Sequence, residues 1–448
     1  KDPRIRQRYG RLMDPITIGI LCFLALFVLL IMTVPIGFAM GLCGLVGMSM
    51  IIGVGPSLSL FGTTVYETTA TYDLSIIPLF VLMGAVAARS GLSKELYGAF
   101  NAWFGAFRGG LALATVGACG AFAAICGSSV ATAATMSKVA LPEMKRYKYS
   151  ESLATGSVAA GGIIGILIPP SVVLVLYGVL TETSIGDLFI AGFLPGILTI
   201  VGFMLVVVVV TRLNPASGPA GERVSLKEKF AALGRTWAII LLFGLVIGGI
   251  YFGVFTPTEA AGIGAVGAFA ISALRRRMTL ANTRDALLET VKTTAMIFTI
   301  LIGALTLNNL MVFSGIASAL SGFVSGLDMH PMAVMAVILL IYLVMGCFLD
   351  ALAMILLTVP IFFPIITDLG FDPVWFGIIV VMVVELGLIT PPIGMNVFVI
   401  KGMMPDVKLS SIYKGVIPFV IAQFILIIMV FLIPDIALWL PESARAFR

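Results

Sequence analysis

Gly165-Ile166-Leu167-Ile168-Pro169-Pro170 comes back 222 residues further on (165 to 387) as Gly387-Leu388-Ile389-Thr390-Pro391-Pro392. Each copy lies inside an apolar run that otherwise reads as a membrane-spanning helix. The offset extends outward: Pro142 pairs with Pro364 and Pro35 with Pro257. With a shift of one or two residues, Pro195 pairs with Pro418 and Ser90-Gly91-Leu92 with Ser314-Gly315-Ile316. A chain built twice, with one helix broken at the same point in each copy, has the pattern of a secondary transporter.

Composition sets the solvent. Hydrophobic residues make up 60% of the 448 and charged residues 11%, against roughly 25% charged in a soluble domain. This is a polytopic membrane protein, all-α, because only helices satisfy their own backbone in lipid over such runs. The net charge of +5 therefore reads as basic loops that fix orientation in the bilayer, not as an affinity for nucleic acid. Cys22, Cys43, Cys119, Cys126 and Cys347 all fall in apolar runs without a CxxC pair and read as small buried hydrophobes. The lone His330, followed by Pro331, reads as a boundary residue. With no HExxH and no GxSxG there is little material for metal or serine catalysis. There is no signal-peptide pattern, and an opening on Lys1 reads as a longer polypeptide or a processed end.

At about 20 apolar residues per crossing, spans are expected near 16–33, 36–54, 75–90, 152–180 and 189–211. In the second half they fall near 237–254, 258–274, 294–312, 374–402 and 412–434. Residues 15–211 form the first repeat and 236–434 the second. The polar stretch 212–235, with Asn214-Pro215-Ala216-Ser217-Gly218-Pro219, is the linker. An odd number of spans per repeat inserts the second copy upside down. The loop charges agree: Arg89, Arg108, Lys145, Arg146, Arg212, Arg275, Lys401 and Lys408 share one set of loops. The opposite loops, around 55–74, 181–188, 313–329 and 367–373, carry acids such as Glu67, Asp187, Asp328 and Asp372 and no Lys or Arg. The basic set is expected in the cytoplasm. Lys1, Arg4, Arg6, Arg8 and Arg11 pull the other way, toward a cytoplasmic N-terminus that the span count places outside.

Two apolar stretches do not fit as crossings. Residues 111–141 are too short for two spans and a turn, and have bases at both ends, so they dip in from the cytoplasm and return. Cys126-Gly127-Ser128-Ser129 supplies the small polar turn. The counterpart, 332–366, has acids at both ends and Gly346-Cys347-Phe348-Leu349-Asp350 at its middle, and dips from outside. Irregular backbone at that depth survives only packed in protein or lining a wet cavity. The expected architecture is two inverted repeats, each with a re-entrant hairpin (111–141, 332–366) and a Pro-Pro-broken helix (152–180, 374–402). Ahead of the first hairpin, 93–107 is amphipathic and is expected along the interface.

A diproline removes two backbone donors and frees carbonyls one turn earlier. Those of Gly165, Ile166 and Ile168, and of Gly387, Leu388 and Thr390, can coordinate a small hard cation. The half-helix after each break turns its positive end toward an anion. Ser128, Ser129 and Thr132 at one turn and Asp350 at the other add side-chain oxygens, and the set suits Na⁺ with a carboxylate. Ser128 and Ser129 can equally satisfy a tight turn, Asp350 can cap a half-helix, and Asn396 can bind a carboxylate or pair helices. Glu385, one turn before the second break, is an intramembrane acid whose partner is not readable. Lys138 is expected to snorkel to the surface, and Thr256-Pro257-Thr258-Glu259 reads as a capping box.

Over nearly its whole length the chain resembles the large membrane subunit of TRAP (tripartite ATP-independent periplasmic) transporters. The matching stretches are Ile77-Pro78-Leu79-Phe80, Gly127-Ser128-Ser129-Val130-Ala131, Ile168-Pro169-Pro170-Ser171, Phe255-Thr256-Pro257-Thr258-Glu259-Ala260-Ala261 and Gly387-Leu388-Ile389-Thr390-Pro391-Pro392-Ile393-Gly394-Met395-Asn396. The resemblance implies an Na⁺-driven importer of organic acids in a bacterial inner membrane. It implies two partners, a small four-helix membrane subunit and a periplasmic substrate-binding protein, and an elevator-type movement. By position, the Na⁺ sites fall at Ser128, Gly165 and Ile168, and at Gly346, Asp350, Gly387 and Thr390. The side-chain oxygens and the amide described above, rather than the resemblance, put the substrate carboxylate at Ser128, Ser129, Thr132, Asp350 and Asn396. The rival within the same physics is a stand-alone Na⁺/organic anion symporter. An intramembrane enzyme lacks a visible nucleophile–base pair, and a channel does not need hairpins from opposite faces.

Overall fold

The computed structural model describes residues 13–326 and 329–447. The basic N-terminal residues Lys1, Arg4, Arg6, Arg8 and Arg11, and Asp328, lie outside the described residues. Among the described residues every regular element is helical. The first half comprises α1 (Pro15–Ile31), α2 (Ile36–Ile52), α3 (Val54–Ala70), α4 (Ile76–Arg89), α5 (Leu92–Phe104), α6 (Gly110–Cys126), α7 (Ser129–Arg146), α8 (Glu151–Leu167), α9 (Val172–Thr181) and α10 (Ile185–Leu213). A short α11 (Leu226–Arg235) lies in the linker. The second half comprises α12 (Trp237–Tyr251), α13 (Pro257–Leu274), α14 (Leu280–Ser314), α15 (Ile316–Ser325), α16 (Pro331–Gly346), α17 (Ala351–Asp368), α18 (Pro373–Gly387), α19 (Met395–Met403), α20 (Leu409–Leu432) and α21 (Asp435–Phe447).

Seven of the described helices, or eight with the bent pair α11–α12, are long and apolar enough to cross a membrane. Two expectations change. Residues 55–74 are not a loop: α3 fills most of them, and its counterpart is the first part of the 35-residue α14, which begins well before 294. The stretch reads as a loop because of its hydroxyls. Within the helix, Ser57, Thr63, Thr64, Thr68 and Thr69 each turn the hydroxyl back to a carbonyl one turn earlier. The second change is α21, an extra helix after 434 that the span count lacked. Its Arg445 pairs with Asp187 at the start of α10, at 2.7 Å.

The chain divides into two compact units, and neither is a sequence half. One is built from residues up to 74 with 294–335 and 356–370; the other takes 75–293, 336–355 and the chain from 371 onward. In the first unit α2 and α14 approach closely. A methyl group added at Gly37 would stand 2.7 Å from the Thr299 carbonyl oxygen, and one at Gly44 would stand 2.7 Å from that of Thr306.

The second unit is organised around α8 and α18. Every residue of α8 from Leu153 to Leu167 is buried, and every residue of α18 from Val374 to Gly387. Each begins on a side-chain cap at the repeat offset. Ser150 accepts from Leu153 N at 3.3 Å, and Asp372 accepts from Val374 N and Trp375 N at 2.8 and 2.9 Å. The linker is pinned across the base of α6 and α8: Gly109 N donates to Gly218 O at 2.8 Å and Ser150 N to Ser217 O at 2.9 Å. The amphipathic segment is α5, whose Trp103 meets Phe230 of α11 edge-on at 5.6 Å. The capping box of α13 forms as read. Thr256 Oγ1 accepts from Glu259 N at 3.2 Å, and Thr256 N donates to the Glu259 carboxylate at 2.8 Å.

Candidate functional site

The site is built twice from one pattern. In each repeat a helix–turn–helix pair, α6–α7 and α16–α17, brings its turn against the broken helix, α8–α9 and α18–α19. At the first turn Gly127 takes φ 61°, the left-handed conformation that costs glycine least, and reverses the chain. Ser128 follows as the N-cap of α7, its Oγ accepting from Ala131 N at 3.4 Å. At the same offset, Asp350 is the N-cap of α17 and accepts from Ala353 N at 3.0 Å. The capping roles of both are therefore real, and each puts an oxygen-bearing side chain at a turn tip beside a break.

The fit of tip to break depends on the paired glycines. A methyl group at Gly165 would stand 2.8 Å from the Ser128 carbonyl oxygen and 3.0 Å from Thr132 Oγ1. At Gly387 it would stand 2.6 Å from Gly346 Cα. Both diproline bonds are cis. Pro169 and Pro170 have no N–H for the carbonyls of Gly165 and Ile166, and Ile168 lies at the break as the C-cap of α8. In the second break the same carbonyls find other donors: Gly387 O accepts from Thr390 N and Leu388 O from Asn396 N, each at 3.1 Å. A carbonyl oxygen has two lone pairs, so capacity for a cation remains. Tyr413 Oη donates to Pro392 O or Ile393 O, both at 2.7 Å, and Thr390 Oγ1 donates to Leu386 O at 2.6 Å.

Side chains from both repeats meet at the first tip. Ser129 Oγ lies 2.7 and 2.6 Å from the two oxygens of Glu385, across 256 residues of chain. Asn396 reaches the same place: a methyl group at Gly162 would stand 2.9 Å from its Nδ2 and 3.2 Å from the Ser129 carbonyl oxygen. Asn396 and Thr132 are each 0% exposed. Among the described residues neither polar atom of the Asn396 amide has a hydrogen-bond partner, and the Thr132 hydroxyl has none beyond the Cys126 thiol. Buried polar atoms are normally paired. A buried amide left unpaired beside a turn tip and a broken helix is what a site for a polar guest looks like.

The structure thus brings Ser128, Ser129, Thr132, Gly165 and Asn396 together at the first tip, and Gly346, Asp350 and Gly387 at the second. In the sequence Glu385 has no readable partner and falls outside the expected site residues. Its one available signal was an acid in a span one turn from a break. Lys138 is exposed.

A protein family described as "Tripartite ATP-independent periplasmic transporter, DctM component" matches residues 23–436. The chain belongs to this family. Among relatives, the C4-dicarboxylate TRAP transporter large permease protein DctM of Pseudomonas aeruginosa is 39% identical over 401 residues, covering 89% of this chain and 93% of that one. The sialic acid TRAP transporter large permease protein SiaM of Vibrio cholerae is 31% identical, covering 83% and 86%. Among solved structures, the YdaH transporter of Alcanivorax borkumensis superposes with a TM-score of 0.58 at 16% identity, covering 84% of this chain and 88% of that one. That likeness is one of fold. This DctM component is a multi-pass inner-membrane permease rather than an enzyme, and it works within a tripartite transporter.

Proposed function

We propose that this DctM component imports a small organic acid coupled to Na⁺. It works with a periplasmic substrate-binding protein that delivers the ligand and a small four-helix membrane subunit that braces it. The observation that carries the reading is the duplicated pairing of turn tip and broken helix, with unpaired buried oxygens beside it. Hard oxygen donors suit a hard cation. Ser128 with the backbone at Gly165 and Ile168 is assigned one Na⁺; Asp350 and Thr390 with the backbone at Gly346 and Gly387 are assigned the other. Ser128, Ser129, Thr132, Asp350 and Asn396 are assigned the substrate carboxylate. Its charge is favoured by the positive ends of the helices that start there. The relatives named for C4-dicarboxylates and sialic acid both carry acids, which supports a carboxylate cargo.

An elevator movement is part of the proposal. The division of the chain into two compact units, each drawing on both repeats, supports it. The test is uptake into vesicles holding the membrane subunits, with the binding protein outside. Replacing Na⁺ by K⁺ is expected to abolish uptake, and so is leaving out the binding protein. Undiminished uptake in K⁺ would refute the coupling.

A further inference from the structure

Each turn tip is accompanied by one carboxylate, but the two arrive by different routes. At the second tip it is Asp350, the cap of α17. At the first, the equivalent position is Ser128, which is neutral. The charge comes instead from the other repeat, through Glu385 of α18. Glu385 is 1% exposed, and both its oxygens face the Ser129 hydroxyl, at 2.7 and 2.6 Å. Among the described residues no Lys, Arg or His pairs with it. A single hydroxyl and the N-terminus of α7 offset only part of the cost of such a burial. What remains is met either by a proton or by a cation held beside the carboxylate.

We propose that Glu385 is the counter-charge of the first cation site, acting through Ser129, and does there what Asp350 does at the second. Ser129 both orients the carboxylate and holds it one residue from Ser128. The Asn396 amide, without a hydrogen-bond partner among the described residues, lies beside Ser129: a methyl group at Gly162 would stand 2.9 Å from its Nδ2 and 3.2 Å from the Ser129 carbonyl oxygen. The inference rests on the cation reading above and deepens it: each site is matched to one monovalent cation by one carboxylate, in a sequence where the repeat itself supplies only one of the two.

The experiment uses the complete transporter in vesicles and the rate of uptake as a function of Na⁺ concentration. Wild type is expected to respond steeply to Na⁺. Glu385→Gln keeps an acceptor for Ser129 and removes the charge; its half-saturating Na⁺ is expected to rise at least tenfold and the response to lose steepness. Asp350→Asn is expected to do the same at the other site. Ser129→Ala, which keeps the charge but frees the carboxylate, is expected to fall between Glu385→Gln and wild type. In parallel, the thermal shift that NaCl gives the purified assembly, measured against KCl, is expected to shrink in Glu385→Gln, since a ligand stabilises only what it binds. That readout needs no transport. A Glu385→Gln variant with the wild-type Na⁺ curve and thermal shift would overturn the proposal. So would one whose rate falls equally at every Na⁺ concentration while the thermal shift stays intact. Indifference of the wild type to Na⁺ would instead refute the coupled-transport reading itself.

Discussion

Asn396 shows how a single residue separates stability from function. Its amide is fully buried and, among the described residues, neither polar atom is paired, an arrangement that costs stability. Replacing an unpaired buried amide with an apolar group of similar size is neutral or stabilising by about 1 kcal/mol. Asn396→Leu is therefore expected to melt no lower than wild type while uptake falls at least tenfold. Thermal unfolding and vesicle uptake on the same preparation check this, and a variant that transports normally would remove Asn396 from the substrate site. Residues such as Asn396, Ser128 and Asp350 were legible as candidates because polar groups are scarce in apolar runs. Glu385 was legible only as an anomaly. Its partner, Ser129, lies 256 residues away, and no local spacing encodes that meeting.

At the scale of elements, breaks and caps were readable because they depend on a few neighbouring residues. Two prolines end α8 and α18 wherever they sit, and Thr256 with Glu259 caps α13 through bonds spanning three residues. Thr256→Ala should cost about 1 kcal/mol of stability and leave uptake unchanged, since the bonds of the cap stay within its own helix. Denaturant or thermal unfolding beside an uptake assay distinguishes this from a transport role. The helix the sequence concealed was α3. Its serines and threonines look like loop residues because hydroxyls compete for backbone partners, yet here they bond one turn back along their own helix and leave it intact. The paired glycines show a second limit. Nothing in the local sequence separates Gly165 and Gly387 from other glycines of apolar helices; only their contact with a turn tip explains why a methyl group would not fit.

For the whole molecule, duplication makes a claim about sidedness. If the second repeat is inverted, the first tip is reached from the cytoplasm and the second from outside. In a background with Cys22, Cys43, Cys119, Cys126 and Cys347 replaced, Ser128→Cys should react with a membrane-impermeant thiol reagent from one face and Leu349→Cys from the other. Labelling of both from the same face under all conditions would end the inverted-repeat picture. The membrane setting, the doubled order of elements, both breaks and the oxygen-bearing residues near them were all legible in the primary structure. These follow from hydropathy, from proline's missing N–H and from the constant 222-residue offset (165 to 387). Tertiary structure alone decided that the compact units cut across the repeats and that Glu385 of one repeat meets Ser129 of the other. The physical reason is that burial selects partners by shape and charge across the packed core, at distances along the chain that local pattern does not encode.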